Sequence, residues 1–219
     1  VVSSDTKLKR AKKLCQKYKY AVLDKTAKSF VFEVSALKKE IDDFALSRRL
    51  TEIIPETHGL FIGNSIPVRA VDMLGSGKGA GIPTGLNRGA SGIDGLIASA
   101  CGYSSGLQRP VSLLIGDLSA MHDLNSFKLL ADSPEPVLVV LLNNNGGGIF
   151  SFLPVVRQTD IFETFFATPH SNDFMSVAKI FGLNYFRPHS ISTFVEDFIV
   201  KNNGNCNGNG SDLRTNALS

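Results

Sequence analysis

The chain has 219 residues, of which 43% are hydrophobic and 20% charged, the composition of one ordinary α/β domain with an attached piece. The longest apolar runs, at residues 111–115 and 137–142, are far too short to span a bilayer, so a membrane-spanning or fibrous protein is excluded. Three widely spaced cysteines, an odd number, form neither a disulfide framework nor a metal cluster.

The net charge of +3 is unevenly distributed, because the chain up to Glu40 carries a clear excess of Lys and Arg over Asp and Glu. A basic segment can contact nucleic acid or a membrane surface. Here the lysines alternate with Leu8, Ala11 and Leu14 at near-helical spacing, and no aromatic platform accompanies them. We therefore interpret the segment as a solvated helix face and expect no nucleic-acid partner.

From residue 44 the pattern changes to alternating helices and strands. A glycine-rich loop is predicted at residues 75–85, and Asn64 or Ser65 is expected to cap the second helix, with Pro67 in its first turn. Helices are predicted at residues 44–54, 64–74, 92–102, 124–131, 174–181 and 191–200, and strands at 59–63, 111–115, 137–142 and 184–186. This alternation predicts an α/β fold with a doubly wound parallel sheet.

Three regions follow from these patterns. Residues 1–43 contain the lysine-rich helix, a mixed stretch at 21–34 and a linker, and residues 44–200 form the α/β domain. Residues 201–219 begin with a run of Asn and Gly that cannot bury apolar area, so we expect a disordered tail.

Two polar motifs follow two consecutive buried strands. Gly116-Asp117-Leu118-Ser119 comes directly after one strand, and Asn143-Asn144-Asn145-Gly146-Gly147 comes after the next. Because ligands of open α/β sheets bind at the carboxyl ends of the strands, both motifs should meet at one point. Each motif alone is usually a turn, but the pair offers the carboxylate, amide and carbonyl oxygens that Mg²⁺ uses to hold a diphosphate. Amide groups at a helix start after Ser119 would bind the diphosphate as well.

The spacing of these two motifs resembles that of thiamine-diphosphate enzymes. The individual motifs are most similar to the family of the menaquinone and phylloquinone pathway, 2-succinyl-5-enolpyruvyl-6-hydroxy-3-cyclohexene-1-carboxylate (SEPHCHC) synthase. The stretches that carry this resemblance are Gly63-Asn64-Ser65 with Arg69, residues 87–95, residues 116–120 with 123–125, and residues 143–147 with 149–151. In place of the family's usual Gly-Gly-Gln-Ile-Phe stands Gly146-Gly147-Gly148-Ile149-Phe150, and the resemblance covers residues 44–200, the pyrophosphate-binding domain.

The resemblance implies a transferase that decarboxylates 2-oxoglutarate and joins the remaining four-carbon unit to isochorismate, with thiamine diphosphate and Mg²⁺ as cofactors. It implies Mg²⁺ ligands at Asp117, Asn144 and Gly146, and a catalytic set of Ser65, Arg69, Arg88, Ile149 and Phe150 in which the first three residues face the substrates. The implied cofactor-binding residues are Asn64, Ile93, Gly116, Asp117, Leu118, Ser119, Asn144, Gly146 and Gly147. Arginine suits these roles because both substrates are dicarboxylates.

In this family a glutamate on a pyrimidine-binding domain, usually of a second chain, completes the active site, within a homodimer or homotetramer. No such domain precedes Val1, residues 1–43 would be only the end of a middle domain, and the family's last strand is missing after residue 200. We therefore expect a fragment that is inactive alone. The lysine-rich beginning and Asn-rich end favour a plant homologue in the plastid stroma, whereas a bacterial one would be cytoplasmic.

Three other functions remain open at this point. The chain could belong to another thiamine-dependent 2-oxoacid decarboxylase or an acetolactate-type synthase, or it could be a non-catalytic module that retains Mg²⁺-diphosphate affinity. A dinucleotide-binding Rossmann domain is the least favoured alternative, because no Gly-x-Gly-x-x-Gly follows a first strand. The histidines show no ligand spacing and are interpreted as structural or surface residues.

Overall fold

The structure is a computed structural model of the chain and describes residues 29–35 and 42–202. Within those residues, six parallel strands form one sheet in the order β3-β2-β4-β5-β1-β6. The strands are β1 Phe30–Ser35, β2 Gly59–Ile62, β3 Thr84–Leu86, β4 Val111–Gly116, β5 Val137–Asn143 and β6 Asn184–Phe186. The α-helices are α1 Asp43–Ile53, α2 Ile66–Leu74, α3 Leu96–Leu107, α4 Asp117–His122, α5 Phe127–Asp132, α6 Thr159–Phe162, α7 Phe174–Ile180 and α8 Ile191–Asn202.

Helices cover both faces of the sheet, which confirms the predicted doubly wound fold. Leu138 and Val140 of β5 belong to the core between the sheet and helices α1 and α8. Val139 and Leu141, which point the other way, belong to the core formed with α3, α5 and α7. Strands buried on both faces read as continuous apolar runs, and this explains why β4 and β5 were recognisable from sequence.

Strand β1 lies in the segment that the sequence assigns to the end of a preceding domain. It is an inner strand of the sheet, with Phe30 paired to Leu138 of β5 and to Asn184 of β6. Val31 is completely buried in the core shared with α3, α5 and α7. The sheet therefore begins before residue 44, where the sequence predicts the start of the α/β domain. The assignment of the other residues among 1–43 to a preceding domain remains a prediction.

Several local predictions are corrected by the structure. Helix α2 begins at Ile66 with Ser65 at the predicted N-cap position, but the Ser65 side chain makes no capping hydrogen bond, and Asn64 bonds the backbone of another loop. The loop predicted at residues 75–85 contains a 3-10 turn, Gly77–Gly79, and leads into strand β3. Helix α4 begins at Asp117 itself, with Gly116 as its N-cap, and not after Ser119.

A chain of short helical turns between β5 and α7 was not predicted. It consists of the 3-10 turns Gly148–Phe152 and Pro154–Arg157, helix α6 and a π-helix at Glu163–Ala167. The predicted basic helix and the predicted Asn/Gly tail lie outside the described residues. In the part of the chain that the structure describes, no helix has the length and apolar character needed to cross a membrane.

Candidate functional site at the carboxyl ends of the strands

The two predicted motifs meet at the carboxyl ends of neighbouring strands. Strands β4 and β5 are paired up to Gly116 and Leu142, so the residues that follow them emerge side by side. The contact is direct, because the backbone N–H of Gly146 donates to Asp117 Oδ2 at 3.1 Å. The structure thus brings together the carboxylate and the glycine turn that the sequence placed at one edge.

Asp117 is a buried carboxylate, with 3% of its surface exposed. Its Oδ1 accepts a hydrogen bond from the N–H of Leu118 at 2.7 Å. Burial raises the pKa of Asp117, and the hydrogen bonds from Leu118 and Gly146 and the nearby His170 only partly oppose that effect. A carboxylate that is costly to keep charged in the folded chain gains most from a bound cation.

Asn144 adds a second oxygen at the same place, since its side-chain Oδ1 is buried and makes no hydrogen bond. Asp43, the first residue of α1, lies within the electrostatic range of Asp117. Burial, followed by repulsion from Asp117 and Asp42, raises the pKa of Asp43 to about 6. No sequence pattern points to Asp43, because this residue precedes the domain motifs by many residues and belongs to no motif of its own.

The glycines at positions 146 and 147 are required by a close backbone approach. A Cβ atom at Gly146 would lie 2.3 Å from the carbonyl oxygen of Ala167, and one at Gly147 would lie 2.2 Å from that of Phe166. The N–H of Gly147 donates to Ala167 O at 2.6 Å. The π-helix thus closes over the glycine turn, an arrangement that the glycine run suggested only as a loop.

His170 lies beside Asp117, a position that its place in the sequence did not indicate. Its Nε2 lies 3.2 Å from Asp117 Oδ2, and its side chain is only 9% exposed. The backbone N–H of His170 donates to the carbonyl of Asn145 at 3.2 Å, and its Nδ1 accepts from the N–H of Asn172. No sequence spacing connects His170 with Asp117, so this neighbour could be found only from the fold.

Asn64 connects the end of β2 to the loop that contains Arg88. The Asn64 side-chain amide donates to the carbonyl of Gly92 at 2.6 Å and to that of Asn87 at 3.2 Å. Its Oδ1 accepts from Arg88 Nη1 at 3.0 Å. The loop between β3 and α3 is therefore held against the same edge of the sheet as Asp117.

Ser65 and Arg69 lie at the first turn of α2. Arg69 is exposed and its Nη1 donates to the carbonyl of Ser65 at 2.7 Å. Ser65 adopts a φ of 74°, a left-handed value that is uncommon for a residue other than glycine. Such conformations persist where the surrounding structure enforces them, and they cluster at functional sites.

The remaining predicted residues lie in the segments next to these side chains. Ile93 is half-buried in the loop before α3, and Ile149 and Phe150 are half-buried in the turn Gly148–Phe152, where the Phe150 ring packs edge-on against Phe166. Gly116 is partly exposed and a Cβ there would meet no atom within 4 Å. Leu118 is half-buried, whereas Ser119 is buried.

Asp123 has a role that the sequence did not reveal. Its buried carboxylate accepts hydrogen bonds from the N–H groups of Ile97 at 2.7 Å and Ala98 at 3.3 Å, at the start of α3. Helix α3 is thereby capped from outside its own sequence, since Gly95 at the N-cap has no side chain to offer. The cap ties the end of the 87–95 loop to the segment that follows Asp117.

The donor set at this edge fits Mg²⁺. Among residues 29–35 and 42–202, no group of three or more His, Cys, Asp and Glu side chains is arranged to hold a metal ion. A cation here would therefore combine Asp117 with amide and carbonyl oxygens and with oxygens of a ligand. That mixture, with one or two carboxylates, is the usual coordination of Mg²⁺ bound to a diphosphate.

Comparison with known families gives a match over most of the sheet. The family described as "Thiamine pyrophosphate enzyme, C-terminal TPP binding domain" matches residues 84–202. A SEPHCHC synthase of Prosthecochloris aestuarii is 47% identical over 161 residues, which are 73% of this chain and 28% of that protein. The corresponding synthase of Rubrobacter xylanophilus is 46% identical over 153 residues, 70% of this chain and 26% of that protein.

Solved structures agree in fold. Benzoylformate decarboxylase of Polynucleobacter necessarius is similar with a TM-score of 0.55 and 16% identity, over 75% of this chain and 31% of that one. A thiamine diphosphate-dependent 4-hydroxybenzoylformate decarboxylase of Rhodococcus jostii gives a TM-score of 0.54 and 18% identity over the same shares. At this identity the likeness establishes the fold alone.

Proposed function

This chain belongs to the thiamine pyrophosphate enzymes, and on that premise we propose that it holds the diphosphate of thiamine diphosphate through a Mg²⁺ ion at the carboxyl ends of β4 and β5. Asp117, Asn144 and the carbonyl of Gly146 would bind the ion. Gly116, Leu118, Ser119 and Gly147 would border the diphosphate, with Asn64 holding the neighbouring loop.

One observation carries this proposal: an amide oxygen without a hydrogen-bond partner and a buried carboxylate lie at adjoining strand ends. Asn144 Oδ1 is buried without a hydrogen-bond partner, and Asp117 is a buried carboxylate with a raised pKa. Buried polar groups are normally satisfied, and exceptions of this kind indicate a bound ion or ligand. A divalent cation would satisfy both groups at once.

We further propose that the complete enzyme is a SEPHCHC synthase that uses 2-oxoglutarate and isochorismate. The chain spans about 28% of the length of the first relatives that it matches, so the activity belongs to the larger assembly. Identity of 46–48% to these synthases, against 16–18% to the decarboxylases of similar fold, favours this function over another 2-oxoacid decarboxylase. Thiamine diphosphate supplies the electron sink for such a decarboxylation.

The residues of this chain would bind and orient the dicarboxylate substrates. Arg69 and Arg88 are the cations beside Ser65 and Asn64, and a guanidinium recognises a carboxylate through two parallel hydrogen bonds. Ile93 would support the bent cofactor from the loop before α3. Ile149 and Phe150 would form an apolar wall that excludes water from the reacting centre.

We propose that a second chain supplies a pyrimidine-binding domain with the glutamate that completes the site, in a homodimer or homotetramer. The isolated chain would then bind Mg²⁺ and the cofactor without catalysing the synthase reaction. In a plant the product would serve phylloquinone synthesis in the plastid stroma. In a bacterium it would serve menaquinone synthesis in the cytoplasm.

Titration calorimetry and a coupled assay test these proposals separately. The 219-residue chain should bind thiamine diphosphate only in the presence of Mg²⁺, and added EDTA should abolish the heat. Synthase activity should require a protein that supplies the pyrimidine-binding domain, and a panel of 2-oxoacids should show preference for 2-oxoglutarate. Metal-independent binding would contradict the site, whereas turnover by the chain alone would contradict the need for a partner.

A further inference from the structure

We infer that Glu33 is a positioning residue for the glycine turn at residues 145–147: it fixes the Asn143 side-chain amide, which in turn holds the backbone N–H of Asn145. This inference rests on the proposed Mg²⁺-diphosphate site and adds to it a residue of strand β1. Glu33 would act through Asn143 and the backbone of the turn, and it would touch neither the ion nor the cofactor.

Glu33 is a buried carboxylate in a strand of mostly apolar residues, with 3% of its surface exposed. Such burial is costly unless donors surround the carboxylate. Its Oε2 accepts from the Tyr185 hydroxyl, and Arg187 Nη2 lies 3.7 Å from its Oε1. The same Oε1 accepts from Asn143 Nδ2 at 2.8 Å. Glu33 therefore links β6, on one side of β1, with the end of β5 on the other side.

The Asn143 side-chain amide fits its surroundings in one orientation. Asn143 is the last residue of β5 and is only 3% exposed. Its Nδ2 donates to Glu33, and its Oδ1 accepts from the N–H of Asn145 at 3.0 Å. In the reverse orientation, Oδ1 would face the carboxylate and Nδ2 would face an N–H group, so neither hydrogen bond could form. Glu33 therefore determines that an acceptor faces the turn.

The glycine turn is fixed by the N–H groups of three consecutive residues, 145–147. They donate to three different acceptors, which are Asn143 Oδ1, Asp117 Oδ2 and Ala167 O. Asn145 has a φ of 59°, a left-handed value that Asn adopts more readily than most residues when a local hydrogen bond supports it. The bond to Asn143 gives this support, and it thereby helps to set the directions of the Asn144 side chain and the Gly146 carbonyl.

Tyr185 offers a matched control, because it shares the carboxylate but not the turn. Burial, followed by the hydrogen bond to Glu33, raises the pKa of Tyr185, so the hydroxyl keeps its proton and donates it to Oε2. Tyr185→Phe removes this bond and leaves the one between Glu33 Oε1 and Asn143. If Glu33 only joined the strands, both bonds would matter equally, whereas a positioning role depends on the bond to Asn143.

The first experiment observes the turn without any ligand, through hydrogen exchange of the Asn145 backbone amide in ¹⁵N-labelled protein. Glu33→Leu has similar volume but no acceptor, so exchange at Asn145 should become about tenfold faster. Glu33→Gln keeps an oxygen for Asn143 Nδ2 and should stay within about threefold of the wild type. Tyr185→Phe should stay within the same limit.

An internal reference separates the turn from overall stability. The N–H of Gly63 donates to Leu114 O at 2.7 Å between strands β2 and β4, and its exchange is measured in the same spectra. The rate at Asn145 is divided by the rate at Gly63, so that a general loss of stability cancels. An equal ratio in the wild type and in Glu33→Leu would overturn the inference.

Reversing the polarity of the pair decides the question if Glu33→Leu does not fold. Asn143→Asp keeps an oxygen for the N–H of Asn145 but sets a second carboxylate against Glu33, so exchange at Asn145 should become faster. Glu33→Gln in the same chain supplies a donor to the new carboxylate. The double variant should return to within about threefold of the wild type, and an Asn145 amide that stays as exposed as in Asn143→Asp would contradict the role of Glu33.

The second experiment measures the cation, and its outcomes separate the inference from the proposed function. Free Mn²⁺ is followed by electron paramagnetic resonance while the chain is titrated with Mn²⁺ and inorganic diphosphate. Glu33→Leu should weaken Mn²⁺ binding about tenfold, the lower end for residues outside the first shell, and Tyr185→Phe should not. If the wild type fails to bind, the proposed function is wrong, and exchange at Asn145 still tests Glu33. If the wild type and Glu33→Leu bind equally well, only the inference is wrong.

Discussion

Buried polar groups at the amino ends of the strands mostly have hydrogen-bond partners within the protein, whereas some at the carboxyl ends do not. At the amino ends, Gly59 donates to Pro110 O at 2.8 Å, Val111 donates to Pro136 O at 3.0 Å, and the N–H of Val137 donates to Ser29 Oγ. At the carboxyl ends, Asp117 is buried with a raised pKa and Asn144 Oδ1 has no partner. The amino ends are thus largely satisfied internally, and the carboxyl ends are built to be completed by a ligand.

His58 is an exception at the amino ends of the strands, because one of its buried nitrogens has no hydrogen-bond partner. It lies at the amino end of β2, is only 1% exposed, and its Nδ1 lies 3.4 Å from Ser112 Oγ, while Nε2 has no hydrogen-bond partner. Burial lowers the pKa of His58 to about 4. A neutral imidazole can be buried without a counter-ion at modest cost, whereas a buried carboxylate cannot, so of these two groups only Asp117 would be stabilised by a bound cation.

Asp117→Asn should produce the largest change, at the carboxyl end. Loss of an outer-shell residue costs ten- to about a hundredfold in metal affinity, so loss of a direct anionic ligand should weaken Mg²⁺-dependent binding of thiamine diphosphate by about a thousandfold or more. Titration calorimetry with and without Mg²⁺ measures this affinity for thiamine diphosphate.

The control for this variant is Asp132→Asn, which removes the charge of an exposed carboxylate paired with Lys128. It should leave cofactor binding unchanged. The thermal midpoint of Asp117→Asn without ligand should equal or exceed that of the wild type, because a costly buried charge is removed. A stable Asp117→Asn protein with wild-type Mg²⁺ dependence would show that Asp117 is not a ligand.

Gly146→Ala should destabilise the carboxyl end by about 3 kcal/mol, since its Cβ would meet a backbone carbonyl that cannot move aside easily. The Cβ would lie 2.3 Å from Ala167 O, and the residue has a φ of +154°. Urea unfolding measures the loss in the free energy of unfolding.

Gly102→Ala serves as the matched control, because a Cβ there meets no atom within 4 Å and the residue lies inside α3. It should stabilise the protein by about 0.5–1 kcal/mol through helix propensity. If Gly146→Ala is as stable as Gly102→Ala, the π-helix does not pack on the glycine turn as described.

His58 should make the amino end sensitive to acid. Its folded pKa of about 4 lies below the ordinary 6.5, so between these values the unfolded chain binds a proton that the folded chain does not. The free energy of unfolding should therefore fall by about 2 kcal/mol between pH 7.5 and pH 5, at about 1.4 kcal/mol per unit.

The variant His58→Gln isolates this effect, because its free energy of unfolding should not show the decrease between pH 7.5 and pH 5. Asp43 and Asp117 have raised pKa values and change stability in the opposite sense, gaining relative stability as the pH falls. The difference between wild type and His58→Gln removes their contribution. Parallel pH profiles of the two proteins would contradict the buried, neutral state of His58.

The sequence was most informative where a residue's environment is set by its own strand. β4 and β5 were found because both faces are buried, and Asp117 and Asn144 were placed together because parallel strands end at one edge. β3 is only Thr84–Leu86 and largely exposed, so it has no apolar pattern. β1 is as long as β4 and rich in apolar residues, and it was missed because it lies in the mixed stretch that was assigned to a preceding domain.

The missed neighbours of the site share a different cause. His170 and Asp43 lie near Asp117 but belong to segments far away in the sequence, after a π-helix and before β2. Glu33 of β1 likewise accepts from Asn143 Nδ2 at 2.8 Å, just before the glycine turn. Such contacts depend on the path of the whole chain, and no spacing within a motif encodes them.

Arg88→Lys should give the smallest change and tests whether the carboxyl end also binds the substrates. Arg88 Nη1 donates to Asn64 Oδ1 at 3.0 Å, so one arm of the guanidinium is used by the protein and the other remains for a carboxylate. Lysine can supply one of these hydrogen bonds but not both in the same geometry. In a full-length enzyme that contains this domain, kcat/KM should fall about tenfold, near 1.4 kcal/mol, with cofactor affinity unchanged.

Steady-state kinetics with each substrate varied in turn, beside a cofactor titration, decides between the possible roles of Arg88. Asn64→Asp is the matched companion, because it keeps the acceptor for Arg88 but removes the amide donor to the carbonyls of Asn87 and Gly92. If Arg88 binds substrate, Arg88→Lys lowers kcat/KM while the loop stays in place, whereas Asn64→Asp also loosens the loop. Weaker cofactor binding with normal substrate constants would assign Arg88 to the diphosphate, and wild-type kinetics would remove Arg88 from the site.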